Sequence, residues 1–356
     1  MLANFFILLE KLFPLWPYHY ICGMKIVGFY AVLFLGLALM GCDQDIDLTA
    51  DWEDIPIVYG LLNEADTAHY IRVEKAFQDQ NGNAFFSALE PDSIYYSDVT
   101  VKLLNLTTGG FAILQRVDGT AEGYPRDGGD FAQEPNYLYK VHSSDFALNG
   151  ADQVRFTLER GKGLPDVESE CTVLRNLIPQ GGLAPGSKIN FPENQDVSFR
   201  WRAEEEARIF DLNLIIHYDE KVINAPDVTS HQLEWNLAKG LKRSGGSPSI
   251  TAKVFGLNFY NFLADNIEVR SDVIRSLTSM DLVIKGGGAA IEQYITIALA
   301  NTGITSAQEI PVYTNLSEGR GIFTSVVQTT IPDLILTSDS ETLLKTLAVT
   351  ADLNFQ

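Results

Sequence analysis

The sequence predicts a mainly β protein made of two β-sandwich modules, the second interrupted by a short helix. Three observations carry this expectation. Between about Asp51 and Arg160, short runs of β-branched and aromatic residues alternate with turn chemistry. The stretch NLIPQGGLAPGSKINFP that follows concentrates Pro, Gly and Asn without periodicity, so residues 176–192 are expected to link modules at 55–175 and 193–356. Beyond it alternating strands resume, and one segment switches to a three- and four-residue apolar spacing.

In the first module IPIVYGLL, AHYIRVEKAF, DVTVKLLN, FAILQRV, NYLYKVH and QVRFTLE read as strands. Val99, Val101 and Leu103, and again Val154, Phe156 and Leu158, occupy every second position, which gives each strand one face for a core and one for water. Asn81-Gly82, Thr108-Gly109-Gly110 and Asp127-Gly128-Gly129 supply turns where positive φ costs little.

In the second module Val197, Phe199 and Trp201 alternate, a charged Glu204-Glu205-Glu206 turn follows, and Phe210, Leu212, Leu214, Ile216 and Tyr218 form the next strand. This pair resembles the second and third strands of a fibronectin type III module with Trp201 as the core aromatic, which implies an immunoglobulin/fibronectin-like sandwich. Phe255, Phe259, Phe262, Leu263 and Ile267 recur at helical spacing and predict a helix near 257–276. MDLVIKGG and QYITIALA look like a strand pair interrupted by Gly286-Gly287-Gly288, with further extended segments at PVYTNL and FTSVVQ.

Ahead of the body, Met24 to Cys42 reads MKIVGFYAVLFLGLALMGC: one Lys, an apolar run, then a small residue before a cysteine. That order is a signal peptide. The run from Ile26 to Met40 spans roughly 22 Å as a helix, short of the ~30 Å hydrocarbon core, so it suits a cleaved leader better than a permanent span. Leu39-Met40-Gly41-Cys42 resembles the lipobox of bacterial lipoproteins, with Met40 departing from the usual residue at its position. The resemblance implies cleavage between Gly41 and Cys42 and lipidation of Cys42. Residues 1–41 are therefore expected to be a signal peptide starting at Met24, and 42–54 a lipidated tether. Its Asp43, Asp45 and Asp47 resemble the acidic surface-export signals of Bacteroidota lipoproteins.

The charge excludes one class of partner. With 26 Lys and Arg against 46 Asp and Glu, the net charge of −20 repels phosphate backbones, so nucleic acid is not expected. The three cysteines, Cys22, Cys42 and Cys171, are spaced too widely for a zinc cluster or a disulfide framework, and Cys171 is expected to be a small core residue.

At two places the body resembles the uncharacterised outer-membrane lipoproteins of Bacteroidota commonly encoded beside TonB-dependent receptors. These are IPIVYGLLNEADTAHYIRVEKAF at 55–77 and IPVYTNLSEGRGIF at 310–323. The resemblance implies a β-sandwich lipoprotein at the outer membrane, on its periplasmic or cell-surface face, with the membrane and a TonB-dependent receptor as partners. It brings no catalytic residues.

Candidate sites are few. Asp79, Asn81, Asn83 and Glu90 fall at positions 1, 3, 5 and 12 of a calcium-loop template, but Ala84 stands where that template demands Gly and the flanks read as strands, so a hairpin turn is favoured. Gly286-Gly287-Gly288 lacks the following Lys-Ser or Lys-Thr of a phosphate loop, which favours a bulge or close backbone approach. His69, His142, His217 and His231 form no HExxH, and no Ser sits in a G-x-S-x-G elbow. His217 falls on the polar side of its strand. Carboxylate pairs such as Asp51 with Glu53 and Asp54, or Glu204 with Glu206, supply the chemistry of a glycan hydrolase if they face a cleft. Tyr95, Tyr96, Phe85, Phe86 and Tyr124 lie near loops, where exposed rings stack on sugars or grip peptides. The expectation is a noncatalytic binding or accessory lipoprotein without cofactor or metal, taking a glycan or a peptide. The alternatives are a carboxylate-dependent hydrolase and an adhesin or structural spacer.

Overall fold

Alternation and β-branched content give sixteen strands across residues 54–77, 84–161, 163–301 and 312–356, which the computed structural model describes. The leader, Cys42, and all of the tether but Asp54 lie outside these residues, as do Asp79, Asn81 and Asn83.

The first half forms β1 (Pro56–Leu62), β2 (Ala68–Lys75), helices α1 (Ala84–Ala88) and α2 (Pro91–Ile94), β3 (Thr100–Asn105), β4 (Phe111–Ile113), β5 (Gln115–Asp118), β6 (Tyr137–His142), β7 (Gln153–Glu159) and β8 (Val167–Thr172). Then come β9 (Ile178–Gln180), β10 (Lys188–Ile189), β11 (Asp196–Arg202), β12 (Ala207–Val222), β13 (Val228–Lys242) and β14 (Ser249–Phe255). The chain ends with α3 (Leu257–Asn266), β15 (Val273–Gly288), α4 (Ala289–Asn301), β16 (Arg320–Leu336), α5 (Ser338–Thr346) and a 3-10 turn at Ala351–Leu353.

One long sheet, ordered β13-β12-β15-β16-β1-β2-β6-β5 with β10 beside the end of β16, carries two smaller ones, β14-β11-β9 and β4-β3-β7-β8. Each small sheet closes a sandwich. Val101, Leu103, Val154, Phe156 and Leu158 face Val58, Ile71 and Phe323 in one core, while Phe199, Trp201 and Val254 face Leu212, Leu214, Leu282 and Val327 in the other. The protein is thus mainly β with two sandwich cores, and Trp201 is fully buried as its spacing predicts.

The two cores share a sheet, which alternation within each half does not reveal. Residues Trp52–Gln356 form one unit, and β16 joins the halves by pairing antiparallel with β15 and parallel with β1. Phe323, Ser325 and Val327 project from one face of β16 at a two-residue period; Phe323 belongs to the first core and Val327 to the second. Between them the buried Ser325 hydroxyl donates to Leu62 O at 2.8 Å and accepts from Leu174 N at 2.9 Å. The parallel pairing explains the Gly-Arg-Gly of the closing motif. Gly319 and Gly321 take φ of +94° and +103°, and a Cβ at Gly321 would stand 2.0 Å from Val58 O.

Several expectations are corrected. The linker at 176–192 instead supplies β9, which pairs with β11, β10, which pairs with β16, and the fully buried Phe191; Pro and Gly there shape tight turns within a packed segment. The helix expected at 257–276 stops at Asn266, whose side-chain amide donates to Phe262 O at 2.8 Å, and Val273 and Ile274 start β15. QYITIALA is helix α4, since a short apolar run fits helix and strand alike. Gly286, Gly287 and Gly288 do not interrupt a strand pair but complete β15, and the close approach favoured there is present: a Cβ on Gly287 would meet Ile291 at 2.4 Å. The calcium-loop flank after Glu90, expected as strand, is helix α2, and helix α1 occupies the middle of the loop template itself.

Candidate functional site

The second sandwich is open along one edge. β13 is the free edge of the long sheet and β14 that of the small sheet above it, and α3 runs beside β14. Between them lies a groove of about 420 Å³ lined by Trp235, Asn236, Leu237, Lys253, Val254, Phe255, Asn258, Asn261, Phe262 and Asp265. That volume is within the range of small-molecule sites.

Helical periodicity builds the groove wall. On α3, Phe259, Tyr260 and Leu263 are buried, so Asn258, Asn261, Phe262 and Asp265, at i, i+3, i+4 and i+7, share the opposite face. The Tyr260 hydroxyl donates to Phe191 O at 2.8 Å and anchors the helix. The rings that line the groove are Phe255 and the stacked pair of Trp235, reaching from β13, and Phe262, 5.3 Å apart, and they rest on the fully buried Phe191 and Phe259, which stack at 4.3 Å between centroids. Phe255 remains 40% exposed at the rim.

The polar groups around these rings are free. Among the described residues, no side-chain hydrogen bond or ion pair engages Asn236, Lys253, Asn258, Asn261 or Asp265. Three amides, one carboxylate and one ammonium therefore converge on aromatic rings with their hydrogen-bonding capacity unspent.

Comparison with known proteins adds no function. No protein-family model matches the chain, and no curated protein matches it. Among solved structures, the C-terminal globular domain of an oligosaccharyltransferase from Pyrococcus abyssi is 11% identical over 62% of this chain and 45% of its own, with a TM-score of 0.22. The FN1–FN3 domains of chicken CNTN1 are 10% identical over 79% of this chain and 65% of theirs (TM-score 0.17), and CBD12 from CALX1.2 is 10% identical over 79% and 99% (TM-score 0.18). The chain thus spans less than two thirds of the first two. At these TM-scores the likenesses carry no argument.

A second cavity of about 400 Å³ lies against the sheet that the two cores share, lined by Glu170, Cys171, Glu206, Arg208, Tyr313, Asn315 and Thr324 among others. Most of its polar groups serve the fold. Glu170 pairs with Arg155 at 2.7 Å, and the Asn315 side chain both donates to and accepts from the Phe323 backbone. Burial pushes the Cys171 thiol up to about 12, so it stays a neutral thiol at physiological pH.

Of the carboxylates named from sequence, Asp54 is held by Arg160 and Tyr96, and Glu206 lines the second cavity along with Glu170 but without Glu204. Asp51 and Glu53 lie outside the described residues. His217 lies on the polar face of β12 as its alternation predicts, its Nε2 3.0 Å from the Asp281 carboxylate. Glu90 precedes α2 as an exposed residue, and among the described residues no group of three or more His, Cys, Asp or Glu could hold a metal ion. Tyr95 and Tyr96 are buried, Phe86 and Tyr124 are exposed, and the Phe85 side chain lies outside the description. Apolar spacing marks the buried side of α3 and is blind to Asn258, Asn261 and Asp265, whose own i, i+3, i+7 recurrence is the sequence signal for this face.

Proposed function

We propose that this protein is a noncatalytic, membrane-anchored binding lipoprotein that takes a glycan segment in the groove between β13, β14 and α3, as an accessory to nutrient uptake at the outer membrane. The observation that carries the reading is the set of unpartnered amides, carboxylate and ammonium above aromatic rings. Planar amides and carboxylates bond to neighbouring hydroxyls, and aromatic faces cover the apolar C–H face of a sugar ring. The leader ending at Cys42 supports the anchor, and the resemblance to Bacteroidota lipoproteins supports the accessory role beside a TonB-dependent receptor. Among the described residues no helix is long and apolar enough to cross a membrane.

Thermal unfolding of the chain across panels of oligosaccharides and peptides tests this. Stabilisation by oligosaccharides without their consumption is the expected result; turnover of any panel member contradicts a noncatalytic role. A second reading has its own observation, because Glu170 and Glu206 line one cavity and a carboxylate pair is what a glycan hydrolase needs. Hydrolysis abolished by Glu206→Gln would establish that reading.

A further inference from the structure

The first sandwich carries an apolar tip at the point where the tether enters the body. Phe86 and Leu89, on α1 and the turn after it, are 70% and 51% exposed, and Phe131, from the loop between β5 and β6, is 46% exposed. Structure holds them side by side. Ala132 N donates to Ala88 O at 2.8 Å, which docks the Phe131 loop on the end of α1, and the Phe131 ring meets Phe77 at 6.5 Å. Beneath them Ile94, Tyr95 and Ala132 form a small buried cluster, so the rings stand on a packed base.

The chain fixes where this tip sits. Phe77 follows directly on Ala76, whose N–H donates to Ile55 O at 2.8 Å, so the tip adjoins the first residues of β1. From Cys42 to Asp54 the contour is at most ~43 Å. A body leashed that short to a lipidated cysteine presents the end nearest its leash to the bilayer. Two cations lie close by: the Arg126 guanidinium, 5.4 Å over Phe131 and paired with Glu74 at 3.0 Å, and Lys75, 5.8 Å over the buried Tyr96 ring. Aromatic side chains with adjacent Lys and Arg are the composition of interfacial membrane contacts.

We infer that Phe86, Leu89 and Phe131 form a membrane-resting surface that inserts into the headgroup region of the bilayer to which Cys42 is anchored. The inference rests on the lipoprotein reading. Its consequence is orientation: β13 stands five strands from β2 in the long sheet, about 24 Å, which keeps the groove clear of the lipid.

The test uses the full chain exported from a bacterial host, with acylation checked by intact mass, and placed in phosphatidylcholine vesicles. Zwitterionic lipid is chosen because the net charge of −20 opposes anionic headgroups. An environment-sensitive fluorophore is attached through Leu89→Cys and, as a reference, Thr229→Cys, each with Cys171→Ser because the free Cys171 thiol lines a cavity. At Leu89→Cys the emission is expected to rise at least twofold on vesicle binding and to be quenched by lipid-borne quenchers, with Thr229→Cys unchanged. Phe86→Ser with Phe131→Ser should remove most of that rise. An acylated chain whose two labels respond alike overturns this inference alone, whereas a chain without acyl groups overturns it together with the anchor. A Leu89→Cys label silent on pure lipid but shifted in native outer-membrane vesicles marks a protein partner and overturns the bilayer assignment.

Discussion

Replacing Arg160 with Met removes the cation that ties both ends of the first sandwich together. Its side chain is fully buried and donates to Asp54 O and Oδ1 at 3.0 and 3.1 Å, to Pro165 O at 2.8 Å and to Glu318 at 2.8 Å. Once it is gone, the Asp54 carboxylate, 11% exposed, keeps only the Tyr96 hydroxyl as partner, and two carbonyls lose their donor. Breaking a buried pair from one side costs about 3–5 kcal/mol. Glu318 is 40% exposed and is re-solvated, so its loss adds under about 1 kcal/mol. The expected destabilisation is therefore about 3–5 kcal/mol. Adding Asp54→Asn removes the orphaned charge and should make the double variant more stable than the sum of the single changes by about 1–3 kcal/mol. Urea unfolding followed by tryptophan fluorescence and far-UV circular dichroism measures both. A loss below about 1 kcal/mol for Arg160→Met, or strict additivity with Asp54→Asn, would refute the reasoning.

Other consequences follow from single positions. Gly321→Ala meets both a φ of +103° and the Val58 carbonyl, so about 1–3 kcal/mol of backbone strain is expected before the clash is counted; if the two cores unfold together through their shared sheet, both tryptophan and circular dichroism midpoints fall in step. Unchanged midpoints would deny the close approach of β16 to β1. His69 is buried against Phe146, and desolvation lowers its pKa from 6.5, partly offset by Asp66 and by the Phe146 backbone. The unfolded chain then binds the proton more readily, so stability is full above about pH 6.5 and declines as the pH falls below it, by at most about 1.4 kcal/mol per unit. His69→Leu should flatten that slope in urea titrations, and an identical slope would place the proton elsewhere.

What was legible in the sequence was whatever a two-residue period writes directly. The strand of Val154, Phe156 and Leu158 and the buried Trp201 are fixed by local alternation against a core. The parallel pairing of β1 with β16 joins residues more than 250 apart, and only the Gly-Arg-Gly spacing hints at it, since two glycines so close mark a backbone that must approach another. Helix α4 is not legible in the sequence because Ile291, Tyr294 and Ile295 suit a strand as well, and the choice is made by the sheet they cover. The groove escaped for a different reason. Its donors are exposed polar residues, which look like any solvated helix face until β13 and β14 bring Trp235 and Lys253 beside them.

Titration calorimetry with the oligosaccharide that most raises the unfolding temperature addresses the groove directly. The native chain should bind without heat of turnover, and Asn258→Ala with Asn261→Ala and Asp265→Ala should weaken binding at least tenfold, about 1.4 kcal/mol, while the unfolding temperature without ligand stays within a degree or two. Equal affinity in the two proteins would contradict the assignment of this groove as the binding site.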